Sequence, residues 1–224
     1  QNPRSPAKVG LGLTANNYIG DYNDPGYFRI YAGGLFSLQK ATRRNLNLHL
    51  RAGFGSFADQ FDGTEIPTGP NGTPLSRFVE TNYIHGELSL SYRFLPTRRV
   101  QPLFHLGYGL IFFNPKDLDG RRLIRNTEPT SAGASTNRLV PQLPAGFGLE
   151  TRLNTYLSLE ILYSYRFIPT DYLDNYGQTD VTNSFDALQH IQISMMFSIG
   201  KGPELPPKHQ KSKKPKEVEI ILDE

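Results

Sequence analysis

Apolar and polar residues alternate with period two through most of the chain. Leu46, Leu48 and Leu50 alternate with Asn47, His49 and Arg51, and Leu88, Leu90, Tyr92 and Phe94 with Glu87, Ser89, Ser91 and Arg93. The pattern recurs from Leu157 to Phe167, against Ser158, Glu160, Leu162, Ser164 and Arg166, and again from Ile191 to Ile199. Successive side chains of a strand point to opposite faces, so each segment is a strand with one greasy and one mostly polar face. Weaker, glycine-rich copies lie at Val9–Leu13, Ile30–Leu38, Phe104–Phe112 and Phe147–Leu153. Together they predict eight strands, near 8–18, 29–38, 46–57, 83–94, 102–113, 142–153, 156–167 and 187–199. The facing of the second is ambiguous.

The connections alternate too. Those at 39–45, 95–101 and 154–155 are short, those at 58–82, 114–141 and 168–186 are long, and 19–28 is intermediate. Short then long around the chain is the arrangement of an antiparallel transmembrane β-barrel with short periplasmic turns and long external loops. Ten residues at ~3.3 Å each, tilted by ~40°, give about 25 Å of height, the apolar band of such barrels. Charge sorts to one face: Arg51, Glu87, Arg93, Glu150, Arg152, Glu160 and Arg166 all lie on the polar side. A charge turned to lipid at mid-depth costs ~2–4 kcal/mol, so the greasy face is expected outside and these seven residues inside, as a barrel-interior charge network. The competing architecture, a soluble barrel or sandwich, would have to carry its long loops at one end only. Tyr18, Tyr83, Phe94, Phe113, Tyr156 and Phe167, near strand ends, are expected in interfacial girdles.

Eight strands leave an interior just filled by side chains, so no diffusion pore is expected. Antiparallel pairing brings Arg51 near Glu87, and a hairpin at 154–155 sets Glu150 opposite Glu160. Two facing carboxylates need a cation between them or a shared proton. Arg93, Arg152 and Arg166 are the candidate cations, so a structural plug of salt bridges is expected ahead of a functional proton-sharing pair.

Composition narrows the rest. Among 224 residues, 24 Lys and Arg oppose 21 Asp and Glu, a net charge of +3 too balanced to indicate nucleic acid. Cysteine is absent, which excludes disulfide scaffolds, thiol catalysis and cysteine zinc sites. Residue 1 is Gln, consistent with a processed, exported chain. Asp59, Asp62, His85, Asp171 and Asp174 have the composition of a water-activating rim site, but their spacing matches no catalytic motif. Asp21, Asn23 and Asp24 suit a turn better than a calcium site, because Pro25 and Gly26 follow. Arg121, Arg122 and Arg125 suit a solvated loop better than contact with lipid phosphates. No cofactor, metal or small-molecule substrate is expected, and the chain is expected not to be an enzyme.

Residues 1–200 thus form the barrel, and 201–224 an extended tail. In 201–216 six lysines, Lys213 and Lys214 among them, meet one glutamate, and four prolines keep the segment extended. The last eight residues invert the charge around Val218, Ile220, Ile221 and Leu222. Val218, Ile220 and Leu222 have the spacing to add one face of a strand to a partner sheet; a frayed solubilising tail is the alternative. Arg43 and Arg44 in one short turn, with Lys40, and Arg98 and Arg99 in another form a positive surface on the same side. Outer-membrane lipid and other envelope proteins are therefore the expected partners.

Asn17-Tyr18-Ile19-Gly20-Asp21, the Gly-rich second strand, and Arg44-Asn45-Leu46-Asn47-Leu48-His49-Leu50-Arg51 resemble the opening strands of the small OmpA-like outer-membrane barrels of Bacteroidota. That group includes the PorG-like accessory barrels of type IX secretion. An even strand count puts both termini on the periplasmic side. The resemblance implies an outer-membrane barrel, expected as an accessory subunit of a secretion or barrel-assembly machine, with a free-standing structural or adhesive barrel and a rim-site enzyme as the alternatives. Many members continue into a peptidoglycan-binding domain, whereas the 24 residues after the barrel here are too few for one.

Overall fold

A computed structural model describes residues 6–19, 30–60, 78–120, 138–170, 173 and 186–200, with backbone only at 59 and 60. They form eight strands: β1 Ala7–Ile19, β2 Tyr31–Ala41, β3 Leu46–Gln60, β4 Phe78–Arg93, β5 Val100–Lys116, β6 Leu139–Arg152, β7 Leu157–Ile168 and β8 Asp186–Ile199. Each pairs antiparallel with the next, and β1 with β8, closing a barrel. The expected fold class is the observed one.

Four strands run further toward the long connections than hydropathy indicated. Pairing continues to Gln60↔Phe78 between β3 and β4 and to Glu80↔Lys116 between β4 and β5. Ser56, Glu80, Asn82 and Asn114 interrupt the apolar alternation there. Backbone ladders need no greasy face, so the strands persist after the hydropathy signal stops.

The outer wall is apolar. Leu38, Leu50, Leu88 and Tyr108 form one cross-strand row of exposed side chains, by the pairs Leu38↔Leu50, Leu50↔Leu88 and Leu88↔Tyr108. The lumen is polar for most of its length, and it holds large groups because glycines face them. A Cβ at Gly53 would meet the His85 ring at 2.7 Å, and one at Gly109 the Glu87 backbone at 2.9 Å. A narrow closed barrel has no other way to admit arginines and imidazoles.

Toward the long connections the lumen turns apolar. Tyr18, Phe57, Tyr83, Ile111, Phe113, Val140, Ile168, Leu173 and Leu188 form a buried cluster, with Tyr18 stacked on Phe57 at 4.5 Å. Tyr18, Tyr83 and Phe113 are therefore inside, 6, 3 and 2% exposed, and not in an interfacial girdle. The reason is parity: each shares the face of the inward Thr14, Glu87 and His105 of its own strand. Phe94 and Tyr156 do face outward, and Phe167 is half-buried.

Candidate functional site

The middle of the lumen is a charge network that joins neighbouring strands and also crosses the lumen between strands that are not neighbours. Arg51 on β3 donates to Glu87 on β4 at 3.2 Å, to Ser89 at 2.7 Å and to Glu160 on β7 at 3.3 Å. Arg166 on β7 reaches the other Glu87 oxygen at 2.9 Å and donates to Gln142 at 3.0 Å. Arg51, Glu87, Glu160 and Arg166 are at most 2% exposed. Burial of this kind is tolerated only where each charge is both paired and hydrogen-bonded. Arg51 Nη2 also lies 3.0 Å from His49 Nδ1. A guanidinium only donates, so Nδ1 accepts, and Nε2 carries the proton that it donates to Ser91 at 2.7 Å.

Nearer the short turns, Arg93 donates to Asn47 at 2.6 Å and Gln101 at 3.1 Å, and lies 3.8 Å from Glu150. Lys8 on β1 forms an ion pair with Glu150 and donates to Ser158 at 3.0 Å. Glu150 and Glu160 stand in register across β6 and β7. Each has its own cations, Lys8 and Arg93 for the first and Arg51 for the second, an arrangement with no call for a shared proton.

Arg152 stands apart from this network. It is half-buried at the short-turn mouth and donates to the Pro96 carbonyl at 2.9 Å. Lys8 takes the place expected of it. Its inward parity with Gly10 and Gly12 was readable, but at the very start of the first strand it was not counted with the interior charges.

His85 does not lie at a rim. It is 5% exposed inside the barrel, with its ring 5.9 Å from that of His190 and on the short-turn side of Tyr83. Asp59 is the last residue but one of β3, opposite Val79, and its side chain is outside the described residues. Asp21, Asn23, Asp24, Asp62, Arg121, Arg122, Arg125, Asp171 and Asp174 are also outside them, as are Lys213, Lys214, Val218, Ile220 and Leu222. Among the described residues no group of three His, Asp or Glu is placed to hold a metal ion.

A latch closes the long-connection end, and sequence reasoning had no means to find it. Thr81 donates to the Leu173 carbonyl at 2.7 Å, the Leu173 N–H to Asp186 at 2.9 Å, and the Tyr18 hydroxyl to Asp186 at 2.5 Å. These bonds draw a residue of the β7–β8 connection into the barrel mouth. At the other end, a cavity of about 20 Å³ between Lys8, Gln39, Asn47 and Arg93 has room for one water. Between that cavity and the latch, side chains of the described residues thus occupy the lumen. Planar-bilayer recordings of the full chain are expected to show no single-channel steps; regular unitary conductance would refute the filled interior.

The short-turn rim is the other concentration of chemistry. Arg43 and Arg44 are exposed on a tight turn, in which the Thr42 and Arg43 N–H groups donate to the Leu46 carbonyl at 2.9 and 3.1 Å. Arg98 and Arg99 are exposed on the next, where Arg99 donates to the Arg152 carbonyl at 3.1 Å. Lys40 is exposed just before the first turn. The turns at 42–45, 94–99 and 153–156 contain no acid, so the charge these three turns carry is of one sign.

No family model and no curated protein matches the chain. Solved structures do. Neisserial surface protein A aligns with a TM-score of 0.55 at 9% identity, over 86% of this chain and 96% of that one. Ail, the attachment invasion locus protein of Yersinia pestis, in complex with the heparin analogue sucrose octasulfate, aligns at 0.49 and 11%, over 87% and 98%. The outer-membrane enzyme PagL aligns at 0.45 and 13%, over 85% and 99%. At such identities the likeness to Neisserial surface protein A speaks for the fold, a small eight-stranded barrel, and for nothing finer.

Proposed function

We propose that the chain is an integral outer-membrane barrel, non-enzymatic and with both termini periplasmic. In this reading it serves as an accessory or scaffold subunit of a larger envelope machine for protein secretion or outer-membrane protein assembly. The observation that carries the reading is how the charge is divided. Inside, the ionic groups are spent on one another in a filled lumen. Outside, Arg43, Arg44, Arg98 and Arg99 gather on the short-turn end with no acid among the turns. A one-signed surface steers a partner of opposite sign, β8 ends on the same side, and the later segment with Lys213, Lys214, Val218, Ile220 and Leu222 has the spacing for a second, strand-forming contact.

The second reading is a free-standing structural or adhesive barrel, favoured by the long connections collected at the opposite end. Affinity purification from native membranes separates the two. Full-length protein is expected to bring down envelope proteins. A version ending at Gly200, with Arg98→Ala and Arg99→Ala added, is expected to lose them. A lone barrel in every sample would sink the scaffold reading and turn attention to the loops.

A further inference from the structure

One sector of the outer wall is indented. The outward Ala52 on β3 is small, Leu11, Phe36 and Ile84 stand around it, and the Phe54 ring lies over Gly34, leaving a groove of about 490 Å³. The floor continues to Gly86, opposite Ala52, where an added Cβ would meet nothing within 4 Å. The row below is filled by Leu38, Leu50 and Leu88.

The groove lies on the strands that lead to one of the cationic turns. Outward positions on β2 run Gly34, Phe36, Leu38, Lys40, and Arg43 and Arg44 follow in the turn. Lys40 pairs with Leu48, and Leu48 with Leu90, so its backbone is level with the last leucines of the apolar wall. A lysine there lays its stem along apolar surface and delivers its ammonium to the headgroup layer. The lengths agree with a lipid. Lys40 to Gly34 is six residues, ~20 Å along the strand and ~15 Å of height at a tilt of ~40°. That is the length of one acyl chain, about half of a ~30 Å hydrocarbon core.

We propose that the β1–β4 wall binds one anionic glycerophospholipid of the leaflet on the short-turn side. Its phosphate sits on Lys40, Arg43 and Arg44, and one acyl chain lies in the groove floored by Ala52 and Gly86. The choice of a lipid over a protein rests on the pairing of a cationic turn free of acids with an apolar groove within one acyl chain's length of it. Arginine forks suit phosphate oxygens, and each cation near a headgroup layer strengthens the attraction. The proposal rests on the membrane reading above, but not on the existence of any protein partner.

Native mass spectrometry of the full chain in detergent tests it. The probes are phosphatidylglycerol and phosphatidylcholine with identical acyl chains, and lipid A. The parent is expected to retain one phosphatidylglycerol in preference to the other two. Each cation removed is expected to weaken that binding roughly fivefold, so Lys40→Ala with Arg43→Ala and Arg44→Ala reduces it on the order of 100-fold. Ala52→Leu, which fills the groove from an outward position, is expected to weaken both phospholipids alike. Arg98→Ala with Arg99→Ala is expected to leave the preference intact. Equal retention of the two phospholipids by the parent would overturn the proposal. So would preference for lipid A, loss of selectivity only in the Arg98/Arg99 variant, or a protein cross-linked at Lys40 in place of lipid. The scaffold reading has a separate fate, because it is read from co-purifying proteins and not from bound lipid.

Discussion

Glu87→Leu is expected to destabilise the folded barrel by about 3–5 kcal/mol, the cost of leaving a buried ion pair without one partner. Glu87 serves two guanidiniums at once, Arg51 at 3.2 Å and Arg166 at 2.9 Å. Its loss leaves both with less than a full set of acceptors in a lumen they cannot leave: Arg51 keeps Ser89 and Glu160, and Arg166 keeps Gln142. Repair needs more than one further change. Removing Arg51 as well strips Glu160 of its cation and leaves it Gln192, which donates at 3.0 Å. Only replacement of Arg51, Glu87, Glu160 and Arg166 together by apolar residues of similar volume is expected to restore stability near the parent's. Urea titration of the barrel in lipid vesicles, followed by the gel shift between folded and unfolded forms, measures both variants. A loss under about 1 kcal/mol for the single variant would show that the arginines find other partners.

This network also shows what the sequence makes legible. Strand number, closure and the facing of charge follow from alternation, because a greasy face, a polar face and a turn each leave a local mark. The Glu150–Glu160 juxtaposition follows from the register of a tight hairpin, which is also local, and Arg51–Glu87 from antiparallel pairing of consecutive strands. The remaining contacts cross the lumen. Arg51 to Glu160 and Lys8 to Glu150 join strands far apart in the chain, and no periodicity specifies which side chains meet across a closed cylinder. Tyr18, Tyr83 and Phe113 are a different case. Their parity pointed inward, but an aromatic residue near a strand end also has the composition of a membrane girdle. The apolar plug prevails because the upper lumen is roofed by Leu173, which sequence reasoning had no reason to bring there.

The exterior supplies the second large effect. Leu88 is outward at mid-height on β4, 53% exposed, in register with Leu50 and Tyr108. In a barrel that stands in lipid, Leu88→Arg is expected to cost about 2–4 kcal/mol, because the guanidinium must sit in hydrocarbon or drag water to it. The same change at Phe94, outward and just past the end of β4, is expected to cost about 0–1 kcal/mol, since a headgroup layer solvates the charge. A barrel of identical fold standing in water would show neither cost, because an exposed leucine there tolerates arginine to within about 0.5 kcal/mol. The two substitutions therefore read depth and not packing. Paired urea titrations in vesicles that give a steep difference between positions 88 and 94 would place the leucine row at the middle of a bilayer. Equal and small effects at both would remove the membrane from the account, and with it the reason for sorting every interior charge away from Leu38, Leu50 and Leu88.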